Sequence, residues 1–154
     1  MSVRIGFVGA GTIAKHHLKE MADIPEAEVV AVCDIDRARA EQAAAPFNAT
    51  VHIQYRTMIE SETLDALYVC MPPFAHGEVE LMALEAGLHL FVEKPIALSV
   101  EKATRIQQAA QEAAVVAAVG YQWRYLSCVD RAKDILGNQP VAMRRILTSA
   151  GCSD

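Results

Sequence analysis

Val8-Gly9-Ala10-Gly11-Thr12-Ile13-Ala14 is the stretch on which the reading of this chain turns. It follows Val3, Ile5, Phe7 and Val8, an apolar run with Gly6 inside it that reads as a buried strand. It then opens into helical spacing. Strand, tight turn and helix are the context that gives Gly-x-Gly-x-x-Gly/Ala its meaning. Gly9 allows the tight turn, Gly11 lets the backbone approach a pyrophosphate, and Ala14 lets the helix pack close to the strand. The pyrophosphate would rest on the first helical turn, at Thr12 and Ile13, where unpaired N–H groups and the helix dipole favour negative charge. By itself the pattern is weak, because a glycine-rich turn in a plain α/β fold can bind no dinucleotide at all.

The next strand strengthens it. Glu28 to Cys33 is short, apolar and β-branched, and it ends in Asp34. An acidic residue about 20 positions past the glycines, at the end of the second strand, is where a ribose is held through its hydroxyls. A carboxylate there accepts hydrogen bonds from a 2′-OH and repels a 2′-phosphate, so NAD is favoured over NADP. Arg37 is near enough to soften that preference by stacking on adenine or meeting a phosphate. Asp34 could also be a turn residue or a helix N-cap, a role that Asp36 could fill equally well.

A chain of 154 residues is one domain, or one domain and part of another. With 53% hydrophobic and 21% charged residues it is globular, not disordered. A net charge of −5 argues against a nucleic-acid partner, since no basic stripe is present and Arg144-Arg145 is too short to make one. Cys33, Cys70, Cys128 and Cys152 show no Cys-x-x-Cys spacing and read as small core residues in a reducing compartment. Arg4 and the glycine turn interrupt the N-terminal apolar run, so no signal peptide is read, and Ala113 to Val119 is far too short for a membrane span. The expectation is a soluble cytoplasmic protein. No metal site is expected, because His52, His76 and His89 are scattered without ligand spacing, and His16 and His17 read as surface or packing residues.

Strand and helix patterns alternate along the chain. Helices are expected from Ile13 to Met21, Asp36 to Phe47, Tyr55 to Ser61, Ala75 to Glu85 and, capped by Ser99, through Ala114. Strands are expected at Val51–Tyr55, Leu64–Met71, Leu88–Val92 and Val115–Gly120. This alternation gives a doubly wound parallel α/β sheet, in which ligands bind outside the carboxyl ends of the strands. Gly9, Asp34, Pro72, Lys94 and Tyr121 all fall on that edge. From residue 121 the character changes. A helix over Val129 to Leu136 and a lone strand over Pro140 to Thr148 look like the opening of a second domain that is then cut off. The boundary is placed at 1–120 and 121–154.

Lys94 follows a buried strand, so its ammonium is expected to be partly desolvated, which lowers a lysine pKa. Such a group could polarise a carbonyl, or help take the proton from an alcohol as hydride leaves its carbon. A solvated loop lysine is the alternative. Glu93 reads as its structural partner, and Pro95 fixes the loop. Met71, Pro72 and Pro73 stiffen a turn that presents apolar surface suited to one face of a nicotinamide ring. His76 could bond a ribose or substrate, or could cap and pack. Arg124 could meet the cofactor or an anionic substrate, while Trp123 and its neighbouring tyrosines could form a pocket wall or a domain seam.

Taken together, Gly9-Ala10-Gly11-Thr12-Ile13-Ala14, Cys33-Asp34, Met71-Pro72-Pro73-Phe74-Ala75-His76, Glu93-Lys94-Pro95 and Gly120-Tyr121-Gln122-Trp123-Arg124-Tyr125 resemble the Gfo/Idh/MocA family of glucose–fructose oxidoreductases and inositol dehydrogenases. The resemblance runs from residue 3 to about 148. It implies a Rossmann domain binding NAD(P), with Lys94 near nicotinamide and substrate, and with Gln122, Trp123 and Arg124 also in the cofactor site. It implies oxidation of a hydroxyl on a sugar, polyol or related small molecule. Enzymes of the family continue into an α+β domain that builds the substrate pocket, usually the homo-oligomer contact, and an Asp and His pair for proton transfer. No histidine follows His89 here. The expectations are therefore either a dehydrogenase represented by its cofactor-binding half, inactive alone, or a dinucleotide-binding module without catalysis.

Overall fold

The computed structural model describes residues 2–137, so the expected strand at Pro140–Thr148, Arg144-Arg145 and Cys152 lie outside the described residues. Six strands, β1 (Val3–Val8), β2 (Ala27–Cys33), β3 (Thr50–His52), β4 (Ala66–Val69), β5 (His89–Val92) and β6 (Ala117–Val119), form one sheet in the order β3-β2-β1-β4-β5-β6. Every pairing is parallel. Five helices alternate with them: α1 (Thr12–Met21), α2 (Arg37–Ala44), α3 (Tyr55–Ser61), α4 (Glu78–Glu85) and α5 (Val100–Ala113). The order turns back at β1, where β2 lies on one side and β4 on the other, and this is the switch point at which a doubly wound sheet opens a crevice.

Alternation along the strands sends side chains to two cores. Ile5, Phe7, Val29 and Val32 pack with Ala14, Leu18 and Met21 of α1 and Ala40, Ala43 and Ala44 of α2. Val8, Ala31, Cys33, Leu67, Val69, Leu90 and Val92 pack on the opposite face with Met58 of α3, Val79, Ala83 and Leu84 of α4, and Ile106 of α5. Both faces of β1 and β2 are buried, which is why these strands read as near-continuous apolar runs. The β1–β2 register slips between Ile5 and Gly6, so Ile5 faces Val29 and Gly6 faces Ala31.

Several expected boundaries move for local reasons. α2 stops at Ala44 because Pro46 sits in the 3₁₀ turn Ala45–Phe47 that follows. The helix expected from Ala75 begins only at Glu78, since Pro73–Ala75 is a separate 3₁₀ turn and Gly77, at φ +126°, breaks the run. β3 is only Thr50–His52, and Tyr55 already belongs to α3. Ser99 caps α5 as expected, its hydroxyl accepting from the Lys102 N–H. At the start of α2 the N-cap is Asp36, whose carboxylate accepts from the N–H groups of Ala38 and Arg39.

The described residues fall into two compact units that part between Tyr121 and Gln122. The second, taken by itself, holds a 3₁₀ turn at Gln122–Tyr125 and α6 (Ser127–Leu136), closed by Gly137. No helix among the described residues is long and apolar enough to cross a membrane.

Candidate functional site

A cavity of about 430 Å³ lies at the switch point, lined by the ends of β1 (Val8), β2 (Cys33) and the residues after β4 (Cys70, Met71, Pro72). Its floor is the turn from β1 into α1. Gly9 adopts φ +92°, and a Cβ placed on it would lie 2.3 Å from the Cys70 carbonyl oxygen. The chain itself therefore demands glycine there. Gly11 differs. Its backbone is ordinary extended chain (φ −74°, ψ −170°), and a Cβ would meet nothing within 4 Å. Among the described residues no atom requires glycine at Gly11, and the space beside it is open. That space adjoins Thr12 and Ile13, the first turn of a ten-residue helix with no side-chain cap at its N-terminus. Unpaired N–H groups, the positive dipole end and a bare backbone fit a pyrophosphate.

Asp34 stands across the cavity. Its Oδ2 accepts from the Ala10 N–H at 2.8 Å and its Oδ1 from the Asp36 N–H at 2.9 Å. Arg39 Nη2 adds an ion pair to Oδ1 at 3.1 Å. These two hydrogen bonds and the ion pair offset the cost of holding a carboxylate that is only 8% exposed. The guanidinium in the cavity is thus that of Arg39, whose Nε also reaches Asp36 Oδ2 at 3.3 Å. Arg37, the arginine singled out in the sequence, points along the exposed side of α2 to Glu41. Ile35, Ile53 and Phe74 complete the rim as exposed apolar side chains.

Cys33 and Cys70 face the same cavity as unpaired thiols. Burial pushes Cys33 up to about 11, and the Asp34 charge adds to it. Burial pushes Cys70 up to about 12, with the Glu93 charge adding to it. Both stay protonated and unreactive near neutrality.

His76 departs from the expectation that it could reach a ribose or substrate. The side chain is wholly buried, with Nδ1 against Glu80 Oε1 and Nε2 at 3.0 Å from the Met71 carbonyl oxygen. Carbonyl oxygens only accept, so Nε2 carries a proton and donates to Met71. Glu80 Oε2 accepts from the Gly77 N–H, and Lys102 Nζ donates to the His76 carbonyl at 2.8 Å. His76 therefore holds the backbone of the Met71-Pro72-Pro73 turn from behind. Met71 and Pro72 line the cavity; Pro73 opens the 3₁₀ turn beside it.

Glu93 and Lys94 follow β5. The Glu93 N–H continues the β4–β5 ladder to the Val69 carbonyl, and Glu93 Oε2 accepts from the Lys94 N–H at 3.1 Å. The Lys94–Pro95 peptide is cis. Lys94 is exposed, so the burial expected from its strand context is not supplied by the described residues: the strand ends at Val92 and the turn carries the side chain into solvent. Gln122, Trp123 and Arg124 lie in the second unit, on its 3₁₀ turn, with Trp123 exposed. Among the described residues no cluster of His, Cys, Asp or Glu could hold a metal.

This geometry has close counterparts. The family model for "Oxidoreductase family, NAD-binding Rossmann fold", that of Gfo/Idh/MocA proteins, matches residues 3–121. The chain belongs to the Gfo/Idh/MocA oxidoreductase family. It is 35% identical over 135 residues to glucose-6-phosphate 3-dehydrogenase of Bacillus subtilis, covering 88% of this chain and 38% of that protein. Among solved structures, the WlbA dehydrogenase of Bordetella pertussis, in complex with NADH and UDP-GlcNAcA, superposes with a TM-score of 0.82 at 29% identity, over 88% of this chain and 42% of that one. Scyllo-inositol dehydrogenase of Lactobacillus casei, with NAD(H) and scyllo-inositol, gives a TM-score of 0.81 at 27% identity, over 88% and 41%. The chain thus spans well under half the length of the family members it matches.

The sequence reading did not find Arg39, the His17–Glu93 contact or the His76–Glu80 pair. Two of these had a usable signal: Asp36 and Arg39 are spaced i, i+3 and His76 and Glu80 i, i+4, the separations that meet on a helix. His17 and Glu93 are 76 residues apart and gave none.

Proposed function

We propose that this chain binds NAD(H) as the cofactor domain of a dehydrogenase acting on a hydroxyl of a sugar, polyol or related small molecule, with NADP less favoured. The observation that carries this reading is the pair formed by Gly11 and Asp34. A backbone left bare at a helix N-terminus faces an anchored carboxylate across one cavity. The first fits a pyrophosphate and the second a ribose. Ile35, Ile53 and Phe74 offer apolar surface for a flat ring. Asp34 disfavours a further phosphate by its charge, and Arg39, already engaged twice by carboxylates, offsets only part of that repulsion.

When bound, the nicotinamide supplies a two-electron acceptor for hydride. The chain's own residues would bind and orient it. The Met71-Pro72 turn, held by His76, gives a rigid apolar wall, and Lys94 stands at the end of the neighbouring strand. Exposed here, its Nζ can donate a hydrogen bond to a substrate hydroxyl oxygen and so ease transfer of the hydroxyl proton to water as hydride departs. Relatives that act on glucose-6-phosphate, scyllo-inositol and a sugar nucleotide support the substrate class. The domain boundary near residue 120, a cytoplasmic location and homo-oligomer formation belong to the same reading, as does a place for Gln122, Trp123 and Arg124 near the cofactor. Calorimetric titration with NADH and then NADPH tests it. Saturable binding with NADH the tighter by roughly tenfold or more, from the like-charge cost at Asp34, is expected. A folded sample that binds neither dinucleotide would end the proposal.

A further inference from the structure

We propose that His17 is a positioning residue for the turn that carries Lys94. The inference rests on the reading that Lys94 works beside the cofactor. His17 lies on α1, the helix that begins at the glycine turn, and its Nε2 is 2.7 Å from Glu93 Oε1. A carboxylate only accepts, so Nε2 carries the proton and donates. The other Glu93 oxygen accepts the Lys94 N–H at 3.1 Å. One carboxylate thus ties the phosphate-side helix to the backbone of the reactive lysine.

The placement of both partners is held from several sides. The His17 ring stands edge-on to Tyr68 of β4 and Phe91 of β5, with centroids at 5.8 and 5.1 Å. Those two rings stack on each other at 4.6 Å, so the imidazole has a rigid apolar seat. Across from it, Gly120 leaves room for the carboxylate, since a Cβ there would come within 3.1 Å of Glu93 Oε1. The two side chains are only 22% and 15% exposed, where a hydrogen bond to an ionised acceptor is stronger than a neutral one. Glu93 alone could swing with its turn; seated against His17 it cannot. Fixing the Lys94 backbone limits where the flexible lysine stem can deliver its ammonium, which matters because reacting groups must be held in near-attack geometry.

The test is made on this chain, isotope-labelled, by NMR. His17→Phe keeps a ring over Tyr68 and Phe91 and deletes the donor. His17→Gln places an amide N–H at similar reach. In His17→Phe the Lys94 amide resonance should move and its hydrogen exchange should quicken roughly fivefold or more, the factor expected for one lost hydrogen bond. His17→Gln should restore both, a recovery that loss of packing would not show. A Lys94 amide unmoved in His17→Phe, or displaced equally in both variants, overturns the proposal. In the unmodified chain, long-range nitrogen–proton correlations should show the His17 proton on Nε2, and a bare Nε2 overturns it whatever the variants do. Adding NADH to the unmodified chain separates the two ideas. Binding that leaves the Lys94 side-chain resonances unchanged removes the role of Lys94 at the cofactor, while the ligand-free readings still decide the tie through Glu93.

Discussion

The two ends of the candidate site are built in opposite ways. At the Asp34 end, Gly9, Ala10 and Asp34 are fixed by buried backbone contacts, and the carboxylate is closed in. At the Lys94 end the side chain is exposed, and only its backbone is restrained, through Glu93. The first region is closed within one compact unit. The second presents a side chain and its anchor without enclosing it among the described residues.

Substitutions can break or sharpen that contrast. The largest effect is expected behind the cavity wall. Glu80→Ala strips the buried His76 ring of its partner and the Gly77 N–H of its acceptor, and breaking a buried pair costs about 3–5 kcal/mol. Glu80→Gln should cost clearly less, because its carbonyl can accept from Gly77 while its amide donates to the ring. Urea unfolding of both variants checks the order, and equal losses would mean that charge rather than hydrogen bonding holds the turn.

The two glycines of the turn come next. Gly9→Ala collides with the Cys70 carbonyl and forces a non-glycine residue to positive φ, so a loss of about 2–4 kcal/mol in unfolding free energy is expected. Gly11→Val should leave unfolding within about 0.5 kcal/mol of the parent and yet weaken NADH at least roughly tenfold, since its side chain fills the space kept open for the ligand. Gly11→Val binding NADH normally would remove the pyrophosphate from that space.

The smallest effect concerns pH. The thiols of Cys33 and Cys70 are raised from 9.0 to about 11 and about 12 in the fold. Above about 9 the unfolded chain releases these protons and the folded chain keeps them, so the unfolded state binds fewer protons and stability falls with rising pH. The stabilisation is whole below about 9 and is lost as pH climbs through 11 and 12. Denaturation midpoints measured from pH 8 to 10.5 should decline less in Cys33→Ala/Cys70→Ala than in the parent. Identical slopes would show that other groups dominate.

Legibility of the molecule from its sequence follows the same division. The glycine turn, Asp34 at the end of β2 and the Ser99 cap were readable because each is decided by neighbours in the chain. So were β1 and β2, since burial on both faces leaves apolar runs. Arg39 went unread for want of helix phase. With Asp36 as N-cap, the third helical residue turns back over the cap, and that residue is Arg39, while Arg37 at the first position turns out toward Glu41. His76 was open between site and packing because its surroundings come from α4 and α5, which sequence spacing does not bring together. Lys94 was expected to be desolvated because β5 is buried, but burial ends with the strand at Val92.

Asp34 also sets how many hydrogen bonds an arriving ligand could make with it. A carboxylate offers about four acceptor directions, and the Ala10 and Asp36 amides occupy two, with Arg39 beside Oδ1 as an ion-pair partner. Two directions remain, enough for a pair of hydroxyl hydrogens. The side chain is thus a half-filled acceptor whose orientation is settled by the fold, so a ligand reaching it would meet no ordering cost of roughly 0.5–1.5 kcal/mol for a loose side chain.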